Sequence, residues 1–339
     1  MFLITVPKLQ TAVLASTCLA LACLVGIYSH FTDQTAQPPK QLGRGQNYVS
    51  FNISPSGDDL VFAAQGKKSS DLFLLALKPS QVSAVTDDTT FEQQPAFAPD
   101  GKQVVFAASD TADGTAHIFT CPLNGGKRQQ LTSSDRYDTS PAFSRDGTHI
   151  VFARAARHRP YSMGGWTWDQ WDVFMMNADG SDVKQVTTSR YYQLTSPVLS
   201  PDNKQILFSV THGEAVQRDI CAASSDGTSQ PVMLTHDGHS SDPSYSPDGS
   251  RIVFIADTAK NFDYELWLMK SDGTEPAQLT HTGSYSRAPR FMPDSKHILY
   301  LTDPARQSRY DLMQIDTNGD GLKKIADSSL FDNPMKWKP

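Results

Sequence analysis

Cysteine is scarce in this sequence: four residues in 339. That is too few to staple a fold of this size with disulfides. Cys18 and Cys23 lie in an apolar leader, and the remaining pair, Cys121 and Cys221, lacks the CxxC spacing of a structural zinc site. Cationic excess is also missing. Thirty Lys and Arg face 36 Asp and Glu, for a formal charge of −6, which excludes the basic footprint of a nucleic-acid binder. No G-x-S-x-G elbow, H-E-x-x-H, Walker A loop or G-x-G-x-x-G occurs, which lowers the standing of the corresponding enzyme classes. What the chain does contain is apolar material at 39%, enough for a large core, so wholesale disorder is excluded.

The first thirty residues read as a targeting segment. Lys8 is their only charge, and Leu9 to Ser29 is a run of 21 residues without one. About 20 apolar residues span a bilayer as a helix. Three readings stand side by side. The segment is a retained signal anchor with Lys8 on the cytoplasmic side. It is a signal peptide cleaved at Ala20-Leu21-Ala22. Or it is a lipoprotein leader acylated at Cys23, although Ala20 occupies a position where a lipobox prefers Leu. The apolar stretch Leu24 to Tyr28 suits the anchor. Each reading carries the rest of the chain out of the cytoplasm, to the periplasmic side of a cell envelope. Residues 31–46 are polar, contain Pro38-Pro39, and read as a linker.

Beyond the linker the chain repeats itself. Pro-x-apolar-Ser-Pro-Asp-Gly, followed by an apolar triplet ending in an aromatic residue, starts at Pro95, Pro141, Pro197, Pro243 and Pro289, at intervals of 46, 56, 46 and 46 residues. The triplets close on Phe106, Phe152, Phe208, Phe254 and Tyr300, and a degenerate first copy runs from Phe51 to Phe62. The second half of each copy is an apolar run, an Asp-Gly and a Leu/Val-Thr pair, as in Leu266 to Met269, Asp272-Gly273 and Leu279-Thr280. Each copy therefore reads as four short strands, with Pro setting one turn's φ and Gly taking the left-handed position. Asn203 stands for that Gly in the fourth copy and tolerates the left-handed region, whereas Ser295 in the sixth predicts local strain or a different turn. Four strands per period of about 45 residues is the pattern of a β-propeller blade. The expected fold is all-β, a six-bladed propeller over 47–339 with the aromatic residue of each second strand between blades. Asp332 to Trp337 restarts the first-strand pattern and is expected to help close the ring. Cys121 and Cys221 fall in third strands of non-adjacent blades and are expected as buried free thiols.

The S-P-D-G turns, the I-V-F triplets and the L-T closes resemble the WD-like repeats of the TolB propeller family. The resemblance covers about Asn47 to Pro339 and concerns the propeller alone. The α/β domain that precedes the propeller in the family's envelope adaptors is not expected in the residues before Asn47. The resemblance implies a six-bladed propeller and a protein-binding role in the envelope.

Three places carry candidate chemistry. The 56-residue interval holds an insertion, Arg154 to Trp171, in which Arg154, Arg157, Arg159, Tyr161, Trp166, Trp168 and Trp171 gather the residue types that dominate binding hot spots. It is expected either as a partner site or as a cap packed on its own blade. The segments before each repeat Pro, among them His239 to Asp242, are expected as loops crowding one mouth of a central channel, with His239 and Asp242 as binding candidates. Asp316, Asn318 and Asp320 have the oxygen spacing of a calcium loop, but they align with the Asp-Gly turns of sister repeats and lack the closing Glu. A plain turn is the expectation there, with calcium as the alternative and no other cofactor. The leading functional expectation is a membrane-associated, extracytoplasmic scaffold for a protein or peptide. Lyase or hydrolase chemistry at the channel mouth, and carbohydrate binding by the Trp residues, are the alternatives. Nucleic acid is not an expected partner.

Overall fold

The computed structural model describes residues 50–330 except 66–68, 111–113, 125, 161–165, 214–216, 258–262 and 308. The leader, the linker and the tail from 331, including the expected closing strand, lie outside the described residues. Among those described, no helix is long and apolar enough to cross a membrane.

Among the described residues, twenty-four strands form six successive antiparallel units. The first is β1 (Ser50–Ile53), β2 (Asp59–Gln65), β3 (Ser70–Leu77) and β4 (Ser80–Ala84). The second is β5 (Phe91–Phe97), β6 (Gln103–Ser109), β7 (His117–Pro122) and β8 (Gln129–Gln130). The third is β9 (Tyr137–Phe143), β10 (His149–Pro160), β11 (Trp166–Asn177) and β12 (Lys184–Gln185). The fourth is β13 (Gln193–Leu199), β14 (Gln205–His212), β15 (Gln217–Ser224) and β16 (Val232–Met233). The fifth is β17 (Ser240–Tyr245), β18 (Arg251–Ala256), β19 (Glu265–Lys270) and β20 (Ala277–Gln278). The sixth is β21 (Tyr285–Phe291), β22 (His297–Asp303), β23 (Asp311–Asp316) and β24 (Lys323–Ala326). A single parallel pair, Ser70 opposite Phe91, joins the first two sheets. The outermost strands of the second to fifth units are only two residues long, which leaves little unpaired edge to template aggregation.

A four-stranded sheet of this composition is apolar on both faces, so it is stable only between neighbours. Six apolar clusters meet that need, each drawing on two adjacent units. One joins Val61 and Leu72 to Val104 and Phe106; another joins Val151 and Val173 to Ile206 and Phe208. The cluster holding Phe62 and Phe73 of the first unit also holds Leu299, Leu301 and Leu312 of the sixth, so the ring closes on itself. Phe62, Phe106, Phe152, Phe208, Phe254 and Tyr300 are all essentially without water contact. In four units that aromatic residue faces an aromatic partner across the strand pair, with ring centroids 5.6 Å apart for Phe62–Phe73 and 5.9 Å for Phe106–Phe119. The repeat thus places one large ring per interface where packing needs it. Cys121 and Cys221 are buried free thiols, and burial pushes the Cys221 thiol up to about 12.

The S-P-D-G turns explain their own sequence. In the third unit Gly147 sits at φ 71° and its N–H donates to the Ser144 carbonyl at 2.9 Å. Ser144 Oγ donates to Asp146 Oδ1 at 2.7 Å, and Asp146 Oδ1 also accepts from the Thr148 N–H. Those hydrogen bonds favour the ionised form and hold the Asp146 carboxyl down at about 2. Asn203 takes the same place at φ 61°. Ser295 also keeps the turn, at φ 58° with its N–H on the Met292 carbonyl, so the sixth unit retains the geometry with a residue that strains it.

One expectation is corrected. The segments before the repeat prolines are not loops: they are the first halves of the innermost strands, and each Pro sits inside its strand. Proline lacks an N–H and is confined to sheet edges and bulges. The innermost strand is an edge, and the residues just before Pro95, Pro141, Pro197, Pro243 and Pro289 are bulged, with left-handed φ at Gln94, Ser140, Ser196, Asp242 and Ala288.

A buried acid marks the junction of the first two units. Glu92 is fully buried; Thr86 Oγ1 donates to it, and Arg128 Nη1 lies 3.4 Å from Oε1. The Arg128 charge is directed mainly at Asp88, 2.7 Å away, so burial prevails and raises the Glu92 carboxyl to about 8.

Two outcomes follow from these features. Ser295→Gly relieves the left-handed strain and should stabilise the fold by roughly 0.5–1 kcal/mol, less what the Ser295 Oγ bond from the Asp248 N–H contributes, whereas Gly249→Ser should cost about as much; thermal melts of both variants check this. The folded state keeps the Glu92 proton at pH values where the unfolded chain has already lost it, so stability falls as pH rises from about 4.5 to about 8. Glu92→Gln should flatten that fall, worth on the order of a few kcal/mol across the window, as read from melting temperature against pH.

Candidate functional site

The six innermost strands surround a cavity of about 160 Å³ on the ring's axis. Its wall is built by the bulges. A bulge turns backbone groups away from the ladder, and here the side chain at the bulge of one unit satisfies the backbone of the next. The Gln94 N–H donates to Ser50 Oγ at 3.0 Å, the Ser140 N–H to Gln94 Oε1 at 2.9 Å, and the Ala288 N–H to Asp242 Oδ2 at 3.2 Å. These bonds link neighbouring innermost strands around the channel and fix the bulges.

The bulge also decides which side chains enter the cavity. Residues three apart on a regular strand point to opposite faces. In β21 Arg287 pairs with Leu301 and Arg290 with Leu299, so the extra residue returns both arginines to one face. The matching pairs elsewhere are Gln93 and Ala96, Thr139 and Ala142, Thr195 and Val198, and Ser241 and Ser244. Among the described residues, only the sixth unit puts cations there. The Arg287 guanidinium lies over the Tyr310 ring, 5.3 Å from its centroid. Arg290 is held by a hydrogen bond from Nη1 to the Pro289 carbonyl at 2.8 Å; burial pulls its pKa down, and the Asp242 carboxylate opposes that shift. A smaller cavity of about 30 Å³ adjoins, lined by Gln193, Ser209, Arg218 and Tyr285, and shares Thr195, Asp242 and Arg287 with the first. The combined surface presents donors and acceptors of both signs, suited to polar groups of a bound molecule.

Of the two residues expected at the mouth, Asp242 lines both cavities, whereas His239 lines neither. His239 is half-buried beside Arg218 through an isolated backbone bridge, with its N–H on Asp237 Oδ1 at 2.8 Å. Arg287 falls within a segment expected at the mouth, Ser284 to Ala288, but is not distinguished there by its charge, and Arg218 and Arg290 lie outside every such segment. The signal was present: lining up the repeats shows Arg two residues before and one residue after Pro289 and at neither place beside the other repeat prolines.

The third-unit insertion is an extension of the β10–β11 hairpin, paired from His149 opposite Asn177 out to Pro160 opposite Trp166. Arg154 forms a two-pronged pair with the fully buried Asp138, Nε to Oδ1 at 2.5 Å and Nη2 to Oδ2 at 2.7 Å, and lies over the Phe152 and Phe174 rings. Arg159 Nε donates to Asp169. Trp171 is buried in the interface with the fourth unit, and its Nε1 donates to the Trp168 carbonyl at 3.0 Å. Trp168 is half-buried, stacked on His158 at 4.7 Å and against Tyr137 at 5.8 Å. Arg157 and His158 are exposed. Tyr161 and the Trp166 side chain lie outside the described residues. Packing thus accounts for Arg154, Trp168 and Trp171. Asp316, Asn318 and Asp320 form the turn from β23 to β24: the Asp316 N–H donates to the Asp320 carbonyl at 2.9 Å, and the Asp320 N–H to Asn318 Oδ1 at 3.1 Å. Among the described residues no group of three or more His, Cys, Asp or Glu is placed to hold a metal ion.

Ring closure, one aromatic core per interface and an axial channel define a β-propeller. The chain belongs to the TolB beta propeller domain family, whose profile matches residues 34–247 and 162–339. Among curated proteins, none matches the sequence. Solved structures agree on the fold. TolB from Acinetobacter baumannii superposes with a TM-score of 0.61 at 19% identity, over 93% of this chain and 69% of that one. An oligogalacturonate lyase from Vibrio parahaemolyticus gives 0.58 at 12%, over 88% and 83%. A puromycin-hydrolyzing peptidase of Mycobacterium tuberculosis gives 0.58 at 13%, over 84% and 54%. The architecture is thus shared by proteins of different activity, and function rests on the site.

The hairpin geometry yields a stability expectation. Arg154→Ala leaves the Asp138 charge buried without its partner and should cost about 3–5 kcal/mol by denaturant unfolding. Trp168→Ala, removing a half-buried ring, should cost roughly 2 kcal/mol, while Arg157→Ala should lie within about 0.5 kcal/mol of the parent.

Proposed function

We propose that this protein is a six-bladed, extracytoplasmic propeller that binds a protein or peptide partner at the channel mouth and works in the cell envelope as a scaffold, held at the membrane by its N-terminal segment. The observation that carries the reading is the pair of adjoining cavities that share Thr195, Asp242 and Arg287. Their lining offers a carboxylate, guanidinium groups, hydroxyls and an amide within one concave surface, which matches the alternating donors and acceptors of a peptide. A volume of about 160 Å³ falls below the range of roughly 300–1,000 Å³ typical of sites for whole small molecules, so the channel suits a side chain or chain end inserted from a larger partner. Membership of the TolB propeller family and the apolar leader support the envelope setting.

The test is affinity capture from detergent-solubilised envelopes with the full chain as bait. A discrete partner should bind the parent protein and be lost with Arg218→Gln at unchanged melting temperature. Capture unaffected by Arg218→Gln but abolished by Arg157→Ala with His158→Ala would move the site to the hairpin and overturn the channel-mouth reading.

A further inference from the structure

The ring is symmetric in backbone but not in charge. At the position one residue after the repeat Pro, the inner wall carries Ala96, Ala142, Val198 and Ser244, and Asn52 at the corresponding place in the first unit. The sixth unit carries Arg290. A long cationic side chain therefore reaches from one wall into space that small side chains leave open on the others. Its guanidinium has five donors. One is used, on the carbonyl of the adjacent Pro289, and Arg290 forms no ion pair among the described residues. Asp242 is near enough to act on it electrostatically, but its Oδ2 already accepts the Ala288 N–H of the neighbouring bulge.

The charge balance of the cavity is specific. Its charged lining residues are Arg287, Arg290 and Asp242, two positive and one negative, for a net charge of +1 in a chain whose overall charge is −6. A guanidinium partly withdrawn from water gains most from a planar acceptor that takes two parallel N–H bonds. A single negative charge neutralises the lining; a doubly charged group would meet Asp242 uncompensated. The volume admits a group of several non-hydrogen atoms.

We propose that the axial cavity is a carboxylate site, in which Arg290 donates to both oxygens of one carboxylate while the rest of the bound group lies along the small residues Ala96, Ala142 and Val198. Arg287, fixed over Tyr310, supplies a second positive charge without turning away from its ring. The carboxylate is either a free small acid or the C-terminus of a peptide chain. This deepens the scaffold reading and rests on it, because it names the group by which a partner enters the channel.

Calorimetric titration of the full chain with acetate, with tri-alanine and with C-terminally amidated tri-alanine tests it. Tri-alanine should bind at least tenfold more tightly than its amide, and Arg290→Gln should weaken that binding at least tenfold, with Arg290→Lys between the two. Both variants should melt as the parent does, since the side chain makes one hydrogen bond to its own neighbour. Binding of acetate together with tri-alanine identifies a free-acid site; binding of tri-alanine without acetate identifies a chain-end site. Equal affinity for tri-alanine and its amide, unchanged affinity in Arg290→Gln, or no binding of either carboxylate overturns the proposal. Partner capture is scored on the same variants. Capture that persists in Arg290→Gln while carboxylate binding is lost overturns only the link between this site and the partner, and a partner lost with Arg218→Gln but indifferent to tri-alanine does the same.

Discussion

The contact on which everything else depends is the packing of one blade's apolar face against the next. Each second strand ends its apolar triplet in an aromatic ring that is shielded from water by the preceding blade. No blade can satisfy this alone, because a four-stranded sheet hides one face at most. The requirement passes around the ring, and it is met at the last interface by Phe62 and Phe73 against Leu299 and Leu312. Closure is therefore a condition for stability, and it is also what creates an axial channel at all.

Within that frame the bulge before each repeat Pro does two jobs. It lets a residue without an N–H sit in a strand, and it turns the side chains of the flanking residues inward. The hydrogen bonds from one bulge to the next, such as Ser140 N–H to Gln94 Oε1, tie neighbouring innermost strands together where no sheet ladder does. A rigid wall results, and its chemistry is set by a few side chains. Among the described residues the second to fifth units contribute small or uncharged groups at the two inward places, and the sixth contributes Arg287 and Arg290. A channel built by a repeat acquires direction through departure from the repeat at a single blade.

The hairpin of the third blade shows the opposite relation between composition and role. Its Arg and Trp residues have the make-up of an interaction surface, yet Arg154 neutralises the buried Asp138, Trp171 fills the interface with the fourth blade, and Trp168 stacks on His158 and Tyr137. The same residue types that make binding hot spots, large and able to hydrogen-bond at one end, are those that anchor a protruding hairpin. The polar side chains it exposes, among the described residues, are Arg157 and His158.

Much of this was legible in the order of the residues. The spacing of the S-P-D-G turns, the aromatic ends of the second strands and the Leu/Val-Thr closes determined the strands, the repeat and the family, because each is a local demand: a left-handed turn position, an alternating face, and a Thr hydroxyl that accepts a third-strand N–H, as Thr132, Thr187 and Thr280 do from Ile118, Val173 and Leu266. The buried thiols followed from the same register. The insertion was visible as a break in period. Which of its Trp and Arg residues pack was decided by tertiary structure, since their partners Asp138 and Tyr137 lie on another strand. The strand identity of the segments before the prolines is hidden in the sequence because a bulge breaks the two-residue alternation by which strands are recognised. Arg287 and Arg290 could be read as exceptions to the repeat, but not as neighbours facing one cavity. Three residues apart, they share a face only because the bulge inserts one residue between them, and they share a cavity with Asp242 only because the fifth and sixth units pack side by side.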